Sequence, residues 1–299
     1  MKKIFTLLAL IVAFTINAQT NTNFGTESLN SNTTGTWNSA FGYQSLKSNT
    51  EGFSNNAFGY KSLTSNTTGR NNTASGTESL NSNTTGSDNT ASGAYSLGTN
   101  TTGSFNTAYG YQSLKFNTTG NDNTAFGYNS LSFNTTGSNN TAYGQQSLLY
   151  NTTGIYNTAS GAYSLGANTT GSNNTAYGIY SLLSNTTGSN NTAFGYSAKA
   201  STGNATNQTV IGHEATGQAD NSVVLGNDNV TAVYMGEDSG ATVYAGGLNL
   251  GGTAITANAA ELNYLDGVTS SIQTQLDNAG GGASTLNDLT DVLVDSNSM

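Results

Sequence analysis

Leucine recurs at every seventeenth position: Leu29, Leu46, Leu63, Leu80, Leu97, Leu114, Leu131, Leu148, Leu165 and Leu182, without one residue gained or lost. Other rows keep the same interval. One glycine row runs from Gly25 to Gly195, a second from Gly35 to Gly188, and an alanine row from Ala40 to Ala193. A strict period of this kind is the mark of a stacked repeat, in which each unit contacts only its neighbours. Seventeen residues are too few for a helical hairpin repeat of about 33 or 34 residues, and glycine weakens a helix by roughly 1 kcal/mol. The unit reads instead as short strands joined by glycine turns. In residues 123–139, "NTAFG" and "SLSFN" are the expected strands and "NTTGSN" the long turn. The fold class expected is all-β, a parallel β-solenoid or β-roll with one coil per repeat.

Composition by itself points toward low-complexity disorder, since only 8% of residues are charged, 37 are Gly, and Pro and Cys are absent. Sixteen Tyr and eleven Phe argue the other way, because disordered chains are poor in aromatic residues. Stacked coils place each residue type over its own copy. The leucine row then becomes an apolar spine, the glycine rows mark positive-φ turns or close approaches, and Asn and Thr rows form hydrogen-bonded ladders. The position after each alanine alternates between large and small. Phe41, Phe58, Tyr109, Phe126, Tyr143, Tyr177 and Phe194 are interrupted by Ser75, Ser92 and Ser160. Tyr95 and Tyr163 follow two of these serines at three residues, as if volume moved within the coil. An exposed strip of rings is rare on a soluble monomer, so this row is expected inside the coil or against another subunit. One Leu and one Ala per coil bury little, which favours association of several rods.

The chain starts MKKIFTLLALIVAFTINAQ: Lys2 and Lys3, an apolar run from Ile4 to Ile16, then Ala18. This is the order of a secretory signal peptide over residues 1–18, and about 13 apolar residues fall short of the ~20 that a spanning helix needs. Export to the extracellular space or outer cell surface is expected, with no transmembrane segment in the mature chain. With a net charge of −9 and seven basic residues, two of them in the leader, nucleic acid is not an expected partner.

Beyond residue 195 the spacing changes. Gly195 to Gly212 is still one repeat, but Gly212 to Gly226 is only 14 residues, ending in "NSVVLG" at 221–226. This stretch resembles the "NSVAIG" motif of trimeric autotransporter adhesin heads, and "NTAFG" and "NTAYG" resemble it with Thr and an aromatic at the two apolar places. The resemblance covers roughly residues 21 to 235, and the head of β-roll repeats is expected over 19–235. It implies a left-handed parallel β-roll, a homotrimer, and inward-facing Val223 and Leu225, with Thr124 and Phe126 inward in the matching coil. A second stretch, "GTAITANAAELNYLDGVTSSIQTQLDN" at 252–278, is similar to a segment of phage tail fibres and related trimeric fibres. It implies a neck or stalk over 236–283, with Leu262, Leu265, Val268, Ile272 and Leu276 spaced as a helix face that Asp266-Gly267 divides. Residues 280–282 are a glycine joint, and 284–299 read as a C-terminal linker.

The chemical inventory is sparse. His213 is the only histidine and there is no cysteine, so no zinc set and no catalytic triad can be assembled, and His213 is expected in a turn. Asp88 and Asp122 are too sporadic for a calcium-binding nonapeptide repeat. The Asn-Thr-Thr triplets match the glycosylation pattern formally but read better as the turn itself. No catalytic residue, cofactor or metal is expected, and the chain is read as a non-enzyme. The expected function is a secreted or surface-exposed, adhesin-like fibre that binds a surface glycan or protein through many weak contacts. Alternative readings are a tail-fibre-like receptor-binding protein and an ice- or crystal-binding solenoid.

Overall fold

The computed structural model describes residues 21–233, 248–250 and 253–255. The expected leader, the helical face after residue 260, the glycine joint and the C-terminal linker lie outside the described residues. The chain divides into two compact units between Val233 and Tyr234. In the second, β14 (Leu248–Leu250) and β15 (Thr253–Ile255) form an antiparallel pair with Leu248 opposite Ile255.

The first unit is a parallel β-solenoid. Thirteen strands, from β1 (Thr22–Phe24) through β7 (Thr124–Phe126) and β12 (Gln208–Ile211) to β13 (Ser222–Leu225), lie in sequence order in one sheet. Successive strands pair in register one repeat apart, so that Thr124 lies between Thr107 and Thr141, and Ala125 between Ala108 and Ala142. The last step, Thr209 to Val223, is the 14-residue coil. At ~4.8 Å per strand, thirteen strands stack to about 58 Å.

Each coil has one strand, not two. The stretch expected as a second strand, "SLSFN", is a turn in which Leu131 sits at φ 53°, as does Asn129 two residues before it. Every leucine of the spine adopts this left-handed conformation, from φ 48° at Leu182 to φ 53° at Leu131. A left-handed residue costs an L-amino acid roughly 1–2 kcal/mol. Contacts along the rod offset it. The Leu131 amide donates to Ser147 O in the next coil at 2.9 Å, and the Asn129 amide to Tyr111 O in the preceding coil at 3.0 Å. Backbone of alternating hand thus bonds to both neighbours as a strand would, without being extended.

Inside, leucine and alanine share the coil with amides. Ala125 and Leu131 are fully buried, and so are Asn123, Ser130 and Asn134. Asn123 Nδ2 donates to Asn106 Oδ1 at 3.1 Å and to Gly137 O at 2.9 Å, while the Asn123 amide also donates to Asn106 Oδ1. Asn134 Nδ2 donates to Asn117 Oδ1 and to the same Gly137 O, both at 2.8 Å. Two asparagine ladders therefore run along the 17-residue coils, one to Asn185 and one to Asn191, and meet on a turn-glycine carbonyl in each coil as far as Gly188. The Thr135 hydroxyl adds a bond to Thr152 O at 3.0 Å. Burial of Asn134 explains why the Asn-Thr-Thr triplet acts as a turn: its nitrogen is committed to the ladder.

The two glycines differ in role. Gly127 has φ 133°, a conformation closed to other residues, and ends the strand. Gly137 has no such φ, but a Cβ there would lie 2.5 Å from Gly154 O and closer still to Asn134 Oδ1. At the far end Gln208 replaces asparagine: its backbone amide donates to Asn191 Oδ1 at 3.0 Å, and its side chain turns to Ser201.

Asn134→Ala strands the Asn117 acceptor and leaves one N–H of the Asn151 amide without its partner, though Asn151 keeps Gly154 O, so it should lower stability by about 1–3 kcal/mol for each group left unpaired. Gly137→Ala should also destabilise, by overlap. Guanidinium unfolding followed by circular dichroism checks both, and midpoints equal to that of the parent would contradict the ladder.

Candidate functional site

With Ala125 facing in, strand alternation sends Thr124 and Phe126 out together on the same face. This corrects the interior branch of the expectation for the aromatic row. It is not inside the coil: Phe58, Tyr143 and Tyr177 are 44%, 46% and 43% exposed. The inward positions implied by the adhesin resemblance are corrected with it. Val223 and Leu225 are 66% and 47% exposed, and the residue between them, Val224, pairs with buried Val210. The physical reason is volume. Two asparagines, a serine and a leucine already fill the coil beside the strand, and only a methyl group fits against them.

Outside, the strand spacing brings rings into face-to-face contact. Phe41 and Phe58 stack at 5.2 Å and 7°, Tyr109 and Phe126 at 4.8 Å and 7°, Phe126 and Tyr143 at 5.0 Å and 9°, and Tyr177 and Phe194 at 4.9 Å and 4°. Two residues further on, a second row stacks: Tyr43 on Tyr60 at 5.5 Å and Tyr111 on Tyr128 at 5.6 Å. A third joins Phe116, Phe133 and Tyr150 at 5.1 and 5.4 Å. Stacked pairs contribute about 0.5–1.5 kcal/mol beyond burial, so the rows stiffen the surface that they form. The second and third rows were missed in the sequence, although the interval of the leucines would have revealed them.

Serine opens the first row at three coils. Ser160 pairs with Tyr143 on one side and Tyr177 on the other, and Ser75 and Ser92 part Phe58 from Tyr109. Tyr163 does not refill the row. It stacks instead on Tyr180 at 5.3 Å, while Tyr95 meets Tyr111 edge-on at 6.0 Å.

Charge is thin along the rod. The Lys115 ammonium lies 4.8 Å from the centre of the Phe116 ring, and Lys61 lies over Tyr60 at 5.2 Å. His213 lies in a turn, exposed, stacked on Tyr196 at 5.3 Å and 3.8 Å from the Glu214 carboxylate. Among the described residues no three His, Cys, Asp or Glu gather as a metal site. No helix among them is long and apolar enough to cross a membrane. An open cleft near the change of coil length is lined by Tyr180, Leu183, Ser184, Ser197, Lys199 and Glu214, a set without a paired nucleophile and base. Lys47 bonds Glu27 at 2.7 Å, which holds the carboxyl below its ordinary value and raises the ammonium above its own.

The outward row and the inward spine should respond differently to truncation. Phe126→Ser, which copies the natural serines of the row, should cost about 1 kcal/mol or less through lost stacking, whereas Leu131→Ala should cost about 2–5 kcal/mol. Denaturant unfolding of the two variants checks the contrast; equal losses would put the ring back inside.

Stability should also be nearly flat with pH, because the buried polar side chains among the described residues are Asn, Ser and Gln, none titratable. Glu27, whose value is depressed, contributes above the ordinary 4.5, and its share is lost as pH falls below that. Lys47, whose value is raised, contributes below 10.5, and its share is lost as pH climbs past it. Melting temperatures measured between these limits should coincide.

No protein-family model matches this chain, and no curated protein matches it significantly, so a functional reading rests on the surface itself.

Proposed function

We propose that this chain is an exported, surface-exposed fibre protein of adhesin type, which holds a host or environmental surface by many weak contacts rather than by catalysis. The observation that carries the reading is the outer face of the sheet, where Thr and aromatic side chains recur coil after coil in register. A rigid array of equal sites gains avidity from repetition: once one site engages, the next is held at high effective concentration. The rod is built as a homotrimer in this reading. The adhesin-head resemblance supports that, as do the second and third stacked rows of rings, apolar surface beyond the first row that a lone rod would leave in water.

A second reading has one observation in its favour. Thr107, Thr124, Thr141, Thr158, Thr175 and Thr192 form an unbroken outward row, as a crystal-binding face would require. Against it, the companion row two residues on is aromatic, so a lattice of threonines alone is not formed.

The mature protein should sediment with about three times the mass of one chain. Coated on beads, it should adhere to polysaccharide-bearing surfaces far better as the assembled rod than as an isolated two-coil fragment. A monomer would overturn the trimer, and loss of adhesion at every surface tried would overturn the adhesin. Thermal hysteresis in cold solution should be absent; its presence would favour the second reading.

A further inference from the structure

Within a run of the first row, neighbouring rings cover one another's faces, and a serine leaves the faces beside it uncovered. At Ser160 the interruption is one coil wide. Tyr143 and Tyr177 stand on either side, two strand spacings or about 9.6 Å apart, with one face of each uncovered. A flat ring entering midway would lie ~4.8 Å from both, within the range in which aromatic faces hold a partner and close to the row's own stacking distance. The residue two further on is Ala162, a single methyl group at the place where the second row carries tyrosines. At the double gap of Ser75 and Ser92 the walls stand three spacings apart, about 14 Å, too far for one ring to touch both.

The identity of the wall residues points to the occupant. Three of the four rings that border a serine gap are tyrosines, Tyr109, Tyr143 and Tyr177, whereas Phe126, covered on both faces, is phenylalanine. The Ser160 slot therefore has apolar walls, phenolic hydroxyls along its rim and a serine at its floor. Apolar faces with polar edges are the complement of a sugar ring, not of a hydrocarbon side chain.

The geometry points to a single-ring carbohydrate subsite between Tyr143 and Tyr177, floored by Ser160, which takes a β-linked pyranose of gluco configuration. This inference deepens the adhesin reading and rests on it for its biological role. Both walls are aromatic, so both faces of the ligand must carry axial C–H groups. A pyranose with all substituents equatorial meets this condition. Galacto configuration does not, because its axial hydroxyl meets one wall.

Isothermal titration of the full chain with cellohexaose, and with β-1,4-galactohexaose as the comparison, tests the subsite. The gluco oligomer should bind about tenfold more tightly, the difference made by one wall contact. Ser160→Tyr completes the ring row in a conformation that Phe126 already adopts in its own coil, so it should fold and yet lose cellohexaose binding about tenfold or more. Ser160→Ala leaves the slot open and should bind within a few-fold of the parent. Unchanged binding by folded Ser160→Tyr, or equal affinity for the two sugars, would overturn the subsite. If the chain adheres to surfaces but binds no cellohexaose, the subsite falls and the adhesin reading stands. Cellohexaose binding without adhesion to any surface leaves the subsite and removes the adhesin.

Discussion

Each coil is closed on one buried carbonyl. Gly137 O accepts from Asn123 and Asn134, which reach it from opposite ends of the coil, and each asparagine is also a rung in its own ladder. A buried amide is costly when unpaired, and here every rung depends on the coil above and the coil below. The period follows from this. An insertion of one residue would displace an asparagine from both ladder and carbonyl, which accounts for ten successive repeats without a slip. It also explains the turn glycine, since the oxygen of the next coil stands where its side chain would be.

Filling the coil with amides decides what the outside must be. An apolar β-roll can turn large side chains inward because nothing else occupies the space. This one has used that space for hydrogen bonds, and its wall must be alanine. Rings left on the outer face then stack on each other, because the strand spacing is close to an aromatic contact distance. The aromatic rows are thus a product of the polar interior. Their rigidity follows from the ladder beneath them.

Much of this is legible in the sequence, and what was misread has identifiable causes. The period, the spine and the two glycine rows need only counting. The second strand was misread because "SLSFN" alternates in polarity as a strand does, and nothing in its residue types declares a leucine at positive φ. That conformation is imposed by the bonds of Leu131 and Asn129 to neighbouring coils. Direction across the strand is a different failure. Three residues are too few for alternation to say which face is inside, and an adhesin-type pattern placed Phe126 inward. The deciding clue was present: a place held by Phe, Tyr and Ser in adjoining coils cannot be close-packed, while one held by alanine in every coil can.

The same logic explains where the rod changes. At Gln208 the ladder stops, because a longer side chain turns away to Ser201 and no asparagine follows in register. The next coil is three residues shorter and its strand, β13, is half exposed where the strands from Ala40 to Val210 each buried an inward residue. With the ladder gone, nothing holds the coil at its former length. Valine returns to the wall at Val210 and Val224, the residue that an apolar roll would use. Coil length in this chain is set by what fills the interior: amide rungs need the long turn that carries them, and apolar side chains do not.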